Sequence, residues 1–156
     1  MEQLKLSEQR YLSEIAEIHE QELEQQYENY KKTTITVALR KEMIERGLKA
    51  GTDIVLIERE HSQLIAFICA RYLKQQEKVV VEILYVAKPY RHQGIAQSLK
   101  KEIELWAYAK GAVEIESTVA NDNSIMQGLN IEQGYHIKKV IMSKRLTINN
   151  EDKSEK

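Results

Sequence analysis

A single carboxylate, Glu82, interrupts the apolar run 79–86, and a glycine turn, Arg91-His92-Gln93-Gly94-Ile95-Ala96, follows soon after. The run is rich in β-branched and aromatic residues and reads as a strand. Pro89 closes it, because proline cannot donate to a sheet ladder. Beyond the turn, Leu99, Ile103, Trp106 and Ala107 recur at helical spacing. A strand, a glycine turn and a helix start together make an anion site. The first amides of a helix lack intrahelical partners, and the macrodipole adds partial positive charge there. Gly94 and the small Ala96 would let a phosphate approach the backbone closely. Glu82 poses a separate problem, since a buried, unpaired charge is costly. It needs a cationic partner, an outward-facing position on the sheet, or a wet cleft where it could act as a general base.

Two phosphate motifs are absent. The chain has no G-x-x-x-x-G-K followed by Ser or Thr, and no G-x-G-x-x-G after the first strand. The stretch instead resembles the acetyl-CoA-binding segment of the GNAT superfamily of N-acetyltransferases. That pattern is Arg or Gln, two residues, Gly, one residue, then Gly or Ala, and 91–96 fits at each fixed position. Leu84-Tyr85-Val86 and Pro89-Tyr90 match the family's lead-in, and Gly134-Tyr135 stands where the family usually has Gly-Phe.

The resemblance implies attack by a neutral amine on the thioester of acetyl-CoA. A lysine-like amine, with a pKa of about 10.4, is almost wholly protonated at neutral pH, so a base must take a proton first. Glu82 is the candidate base, because some branches, including aminoglycoside 6′-N-acetyltransferases, place a carboxylate at the matching position. A backbone N–H of the central strand, in the stretch Leu84, Tyr85 and Val86 with Tyr85 as nominal donor, would stabilise the oxyanion. Pantetheine would lie along the same backbone, where the strand splays from its neighbour. Arg91, His92, Gln93, Gly94, Ile95, Ala96, Gln97 and Ser98 would hold the pyrophosphate, mostly through the main chain. The motif's asparagine maps to Asn123. Asn130 occupies the place of a tyrosine that many members use as general acid toward the thiolate. Thiolate has a pKa of about 8.5 and can leave with little help, and Tyr135 is another candidate donor. Cys69 lies in an apolar strand as a small hydrophobe, which leaves no covalent nucleophile and implies direct transfer in a ternary complex. The expected acceptor is a small-molecule primary amine, cationic in its resting form, ahead of a protein terminus or lysine. The alternatives are a non-catalytic acyl-CoA sensor or interaction module and a protein N-acetyltransferase.

These groups must be positioned by one domain. The chain's 156 residues suffice for a core without staples, and a net charge of −1 argues against a nucleic-acid binder with a broad basic face. One cysteine excludes an internal disulfide and fits a reducing cytoplasm. The N-terminus lacks a signal pattern, and no apolar run could span a bilayer. No metal is expected, because the four histidines lack ligand spacing.

In order, 3–6 reads as a short strand. A helix capped by Ser7 or Ser13 follows to about Tyr30, with Leu12, Ile15, Ile18, His19, Leu23 and Tyr27 on its apolar stripe. Its other faces carry Glu14, Glu17, Glu20, Glu22, Glu24 and Glu28, either a solvated face or a field for a cationic acceptor. A second helix over 36–49 points Leu39, Met43 and Leu48 inward and ends at Gly51. Strands 53–58 and 64–73 form an antiparallel pair ahead of the central strand. Trp106 and Leu105 read as core residues of the helix that follows. After it come a strand over 113–119, a helix over 124–133, and a last strand or strands over 135–145. The resulting class is α/β (α+β), a mixed, largely antiparallel sheet. The resemblance implies six to seven strands flanked by four helices, a domain over 1–146 and a polar tail over 147–156. GNAT domains often form a homodimer through their last elements.

Overall fold

A computed structural model describes residues 1–147. Residues Met1–Asp122 form one compact unit, and the described residues from Asn123 to Thr147 belong to a second. The first unit runs β1 (Glu2–Gln3), α1 (Gln9–Gln26), α2 (Thr34–Ala50), β2 (Asp53–Glu60), β3 (Gln63–Leu73), β4 (Lys78–Val86), α3 (Ile95–Lys110) and β5 (Glu114–Ser117). The strands lie in one sheet in chain order, antiparallel throughout except for the parallel pair of β4 and β5. That parallel pair needs a crossover, which α3 supplies. The mixed α/β, largely antiparallel class expected from the sequence is therefore observed.

Each sheet face carries its own core. Leu12 and Ile15 of α1 and Ile44 of α2 pack with Val55, Ile57, Phe67 and Cys69 on one face. Leu99, Ile103 and Ala107 of α3 pack with Ile54, Leu56, Ile68, Ala70, Val79 and Val81 on the other. Both faces of β2 and β3 are thus covered, which is why these strands read as near-continuous apolar runs. Leu105 points outward, 59% exposed, contrary to its expected core place, while Trp106 is half-buried with the Lys110 Nζ 5.5 Å from its ring centroid.

The helical details differ from the sequence reading where local hydrogen bonds compete. Neither Ser7 nor Ser13 caps α1, which starts after Glu8 without a side-chain cap and stops at Gln26. Thr33 caps α2 through a capping box with Thr36 and starts the helix two residues early. Leu39 and Met43 are 54% and 43% exposed, and Ile44 and Gly47 are buried in their place. Leu48 packs on the core as expected, half-buried, while the rest of the inward face is shifted to Ile44 and Gly47, the latter lying against Asp53 of β2.

In the second unit, Asn123 caps α4 (Ser124–Glu132) by accepting from the Met126 amide at 3.1 Å. The strands expected over 135–145 are not formed among the described residues, so the sheet has five strands rather than six or seven. A strand exists through its ladder, and the apolar side chains of this stretch, such as Ile137 and Met142, are exposed. Except for Thr147, the polar tail expected over 147–156 lies outside the described residues.

Gly47 gives the packing a direct test. A Cβ there would stand 2.2 Å from the Asp53 carboxylate, which Arg71 holds with two hydrogen bonds of 3.0 Å. Alanine in a helix interior normally stabilises by about 1 kcal/mol relative to glycine. Here overpacking against a clamped carboxylate dominates, so Gly47→Ala should lower stability by about 1–3 kcal/mol in urea unfolding. A stabilised variant would show that Asp53 moves freely.

Candidate active site

Glu82 owes its position to a break in register. Cys69 of β3 lies opposite Ile83 of β4, and Ala70 lies opposite Val81, so Glu82 is the extra residue of a β-bulge. In an unbroken strand Val81 and Ile83 would share a face. The bulge separates them: Val79 and Val81 join the α3 side, whereas Ile83 and Tyr85 pack on the α1–α2 side. β5 also pairs with β4 only from Lys78 to Val81, and no strand flanks 82–86 on that edge among the described residues. The β4–β5 pairing therefore ends next to the bulge, in the region where the resemblance implies a splay.

Glu82 is exposed and lines a small pocket of about 30 Å³ on the α1–α2 side. His19 of α1, Arg40 of α2, Asp53 of β2, and Cys69 and Arg71 of β3 complete its polar lining. The two guanidiniums are already paired. The Arg40 Nε donates to the Glu20 Oε1 at 3.0 Å, and the Tyr30 hydroxyl donates to the other oxygen of Glu20. Arg71 donates from Nε and Nη2 to the two oxygens of Asp53, a bidentate pair. Glu82 makes no hydrogen bond or salt bridge with any described residue.

Two further groups are set by burial. The Cys69 thiol is pushed up, first by desolvation and then by the charges of Asp53 and Glu82, so it is held as a thiol rather than a nucleophilic thiolate. His19 is 6% exposed, and its pKa is lowered from 6.5 to about 4 by burial and by the Arg40 charge, partly opposed by Glu20. Its Nδ1 is buried without a hydrogen-bond partner among the described residues.

Beyond β4, Lys88–Tyr90 form a single 3-10 turn with Pro89 near its start. The Arg91 Nε donates back to the Val86 carbonyl at 2.8 Å, bracing the turn against the strand end. His92 and Gly94 follow with φ of 63° and 80°, both left-handed. That conformation is natural for glycine and strained for histidine, as is common at ligand-holding turns. A Cβ on Gly94 would meet nothing nearer than the Gln97 Oε1 at 3.9 Å, so the cradle is open. No side chain caps α3, whose first intrahelical bond runs from the Ser98 amide to the Gly94 carbonyl at 3.1 Å. Arg91, His92, Gln93, Gly94, Gln97 and Ser98 are exposed, and Ile95 and Ala96 are half-buried.

The fold brings Glu82, Leu84, Tyr85 and Val86 onto one strand whose end leads into the 91–98 turn. The Tyr85 ring packs at 5.5 Å on Phe67, and its main chain is paired with the same residue, in step with the Ala87–Ile65 bond. Contrary to expectation, the amides facing the open edge are therefore those of Leu84 and Val86. Asn123 is a helix cap, and Asn130 is buried in the second unit, its Oδ1 without a hydrogen-bond partner among the described residues. Sequence reasoning missed Arg40, Asp53 and Arg71, and it placed His19 among apolar stripe residues. A histidine on an otherwise apolar helix face was the available signal. The acidic faces of α1 are also partly structural: Glu20 is 2% exposed and paired, and Lys32 binds Glu17 at 2.6 Å.

The depressed histidine makes stability depend on pH. Between pH 6.5 and about 4 the unfolded chain binds a proton at His19 that the folded chain refuses. Stability should therefore fall as pH drops through this window, by about 3 kcal/mol at most, and level off below it. His19→Gln should flatten that part of the profile in urea titrations at successive pH values; an unchanged slope would place the sensitivity elsewhere.

A family model described as Acetyltransferase (GNAT) family matches residues 12–135. Among solved structures, a GNAT-family protein from Staphylococcus aureus is 39% identical, with a TM-score of 0.72 over 75% of this chain and 98% of its own. The structure of AAC(6′)-Iy in complex with the bisubstrate analogue CoA-S-monomethyl-acetylneamine shares the fold, with a TM-score of 0.61 at 20% identity, covering 84% of this chain and 93% of that one. An aminoglycoside N(6′)-acetyltransferase type 1 from Acinetobacter genomosp. 13 is 38% identical over 56 residues, 36% of this chain. That match spans only 38% of the relative's length. With the bulged strand, the open glycine turn and these likenesses in agreement, the chain belongs to the GNAT family of acetyltransferases.

Proposed function

We propose that this protein is an acetyl-CoA-dependent N-acetyltransferase whose acceptor is a small cationic primary amine. The observation that carries the reading is Glu82. Of the two carboxylates lining the pocket, Asp53 is held by Arg71, while Glu82 has no partner among the described residues. Its charge is felt by the Arg71 guanidinium, but with no hydrogen bond or ion pair it can attract an ammonium and then take its proton, directly or through one water. The aminoglycoside name of the partly matching relative supports a small cationic acceptor.

The residues at the turn suit a phosphorylated donor. Gly94 is open toward solvent, the α3 start carries no side-chain cap, and Arg91 and Gln93 direct their side chains back to Val86 and Pro89. The main chain of 91–98 is thus left to hold the pyrophosphate, as helix starts do. The unflanked edge of 82–86 would receive the pantetheine arm. Tyr85, the nominal donor, is opposite Phe67 in the β3–β4 ladder, so the amide N–H of Leu84 or Val86, which faces the open edge, would be the donor toward the acyl oxygen. Acetyl-CoA supplies a thioester-activated acetyl group. Buried Cys69, held as a thiol, is unsuited to carry that group, so the amine would attack the thioester carbonyl directly. Glu82 would hold the amine's released proton, and the carbon–sulfur bond would break with CoA leaving as its thiolate.

A non-catalytic acyl-CoA sensor is the rival reading, and Asn130 favours it, because its amide cannot protonate a leaving thiolate. Glu82→Gln separates the two. It should lower kcat by about 100-fold or more, the usual size of a general-base contribution, with acetyl-CoA affinity unchanged. Full turnover in the variant would remove Glu82 from the chemistry, and a wild type without turnover would favour the sensor. Gly94→Trp tests the donor site. It should weaken acetyl-CoA binding at least about tenfold by calorimetry while β4 and the pocket stay intact, and undiminished affinity would refute the assignment.

A further inference from the structure

We propose that His19 and Arg40 form a recognition site for a hydroxyl group of the acceptor, so that the preferred substrates are amino alcohols, amino sugars included, rather than plain alkyl amines. This rests on the reading of Glu82 as the amine's partner and adds the group that recognises the rest of the substrate. The first support is an unmet need. His19 lines the pocket, is 94% buried by its 6% exposure, and makes no hydrogen bond to any described residue. Buried polar atoms are nearly always paired, with protein, water or ligand. Nδ1 is closed off from the pocket, whereas Nε2 is not, and it too has no hydrogen-bond partner among the described residues, so a partner for the ring enters through the pocket at Nε2.

Arg40 supplies the complementary half. A guanidinium carries five N–H donors, and only the Nε of Arg40 is engaged, by Glu20. Its Nη groups are left for an oxygen in the pocket it lines. A neutral imidazole offers one donor and one acceptor, so a hydroxyl can accept from Arg40 and exchange a hydrogen bond with the ring. Burial keeps the ring in that neutral form at physiological pH.

Charge then selects a hydroxyl over a carboxylate. Around the pocket stand two guanidiniums, Arg40 and Arg71, and three carboxylates, Glu20, Asp53 and Glu82. Two of the carboxylates neutralise the two cations, and the third is reserved for the amine. A further anion would meet a region already net negative, with no cation left to neutralise it. A neutral oxygen escapes that penalty, and a pocket of about 30 Å³ holds a group the size of a hydroxyl or one water. When substrate is absent, one water could make the same bonds, and a hydroxyl that reproduces them displaces it without loss.

The test uses 3-aminopropan-1-ol, propylamine and β-alanine as acceptors, matched but for the distal group. The readout is the kcat/KM ratio of aminopropanol to propylamine, compared between wild type and variant so that the amines' different basicities cancel. His19→Phe should reduce this ratio about tenfold or more, leaving propylamine kinetics and acetyl-CoA affinity unchanged. His19→Gln, which keeps a donor and an acceptor, should restore part of it. Arg40→Lys preserves the charge opposite Glu20 and loses the fork, and it should also reduce the ratio. Equal losses for both amines, an unchanged ratio in all three variants, or a wild-type preference for β-alanine would overturn the proposal. If none of the amines is acetylated, the catalytic reading fails instead. Calorimetry of aminopropanol and propylamine with the CoA-loaded protein then still decides the pocket: a preference for aminopropanol that His19→Phe abolishes sustains it, and equal affinities overturn it.

Discussion

The bulge at Glu82 is the constraint on which the rest of the site depends. One extra residue on β4 against β3 changes which side chains face which helix layer. Up to Val81 the strand serves the core beneath α3; from Ile83 and Tyr85 it also serves the core beneath α1 and α2. At the same point the pairing with β5 stops. The local irregularity thus turns a carboxylate toward the pocket at the point where the other edge of β4 is also left unflanked among the described residues. It also spares the protein a buried unpaired charge, because the bulged residue is exposed.

The pocket's walls are held by a second set of interactions that have little to do with apolar packing. Glu20 is almost fully buried, and it is tolerable there because Arg40 and Tyr30 both donate to it. This ties α1 to α2 and to the connection between them. Asp53 and Arg71 tie β2 to β3, and Gly47 lets α2 sit directly over that pair. Removing one partner of such a pair leaves a buried charge and typically costs 3–5 kcal/mol, more than the pair contributes relative to a well-packed apolar substitute. Their retention is better understood as shaping a polar pocket than as maximising stability.

The central strand, the 91–96 turn and α3 were legible in the sequence because each is specified locally. Strand composition, a stop at Pro89, the left-handed Gly94 and the Leu99, Ile103, Ala107 stripe all act within a few residues. The β2–β3 pair was legible for the same reason, its turn lying at His61 and Ser62. What escaped was non-local. The bulge is a relation between Cys69 and Ile83, and the placement of Glu20 is a relation with Arg40 in another helix. Nothing in the spacing of α1 distinguishes Glu20 from Glu17, although one is buried and the other is exposed. Part of the stripe of α2 was misjudged because Gly47 has no side chain to enter an apolar count, yet it marks the side of closest approach. The strand expected over 135–145 shows the opposite failure: suitable composition without a ladder partner among the described residues.

The two charge arrangements also explain how an acetyltransferase site can be selective in so small a space. If Arg40 and Arg71 were unpaired, the pocket would be strongly positive and would repel the ammonium that Glu82 is proposed to receive. If Glu20 or Asp53 lacked its cation, the pocket would hold excess negative charge at several points and would bind an amine in several poses. Pairing each guanidinium with its own carboxylate cancels the long-range field and leaves one net charge, at Glu82. On the proposed function, Coulomb attraction would then orient the amine toward the strand edge, and the shorter-range hydrogen bonds proposed for Arg40 and His19 would act on whatever projects from its other end. Orientation and recognition would thus be carried by different physical forces acting over different distances, without compromising each other.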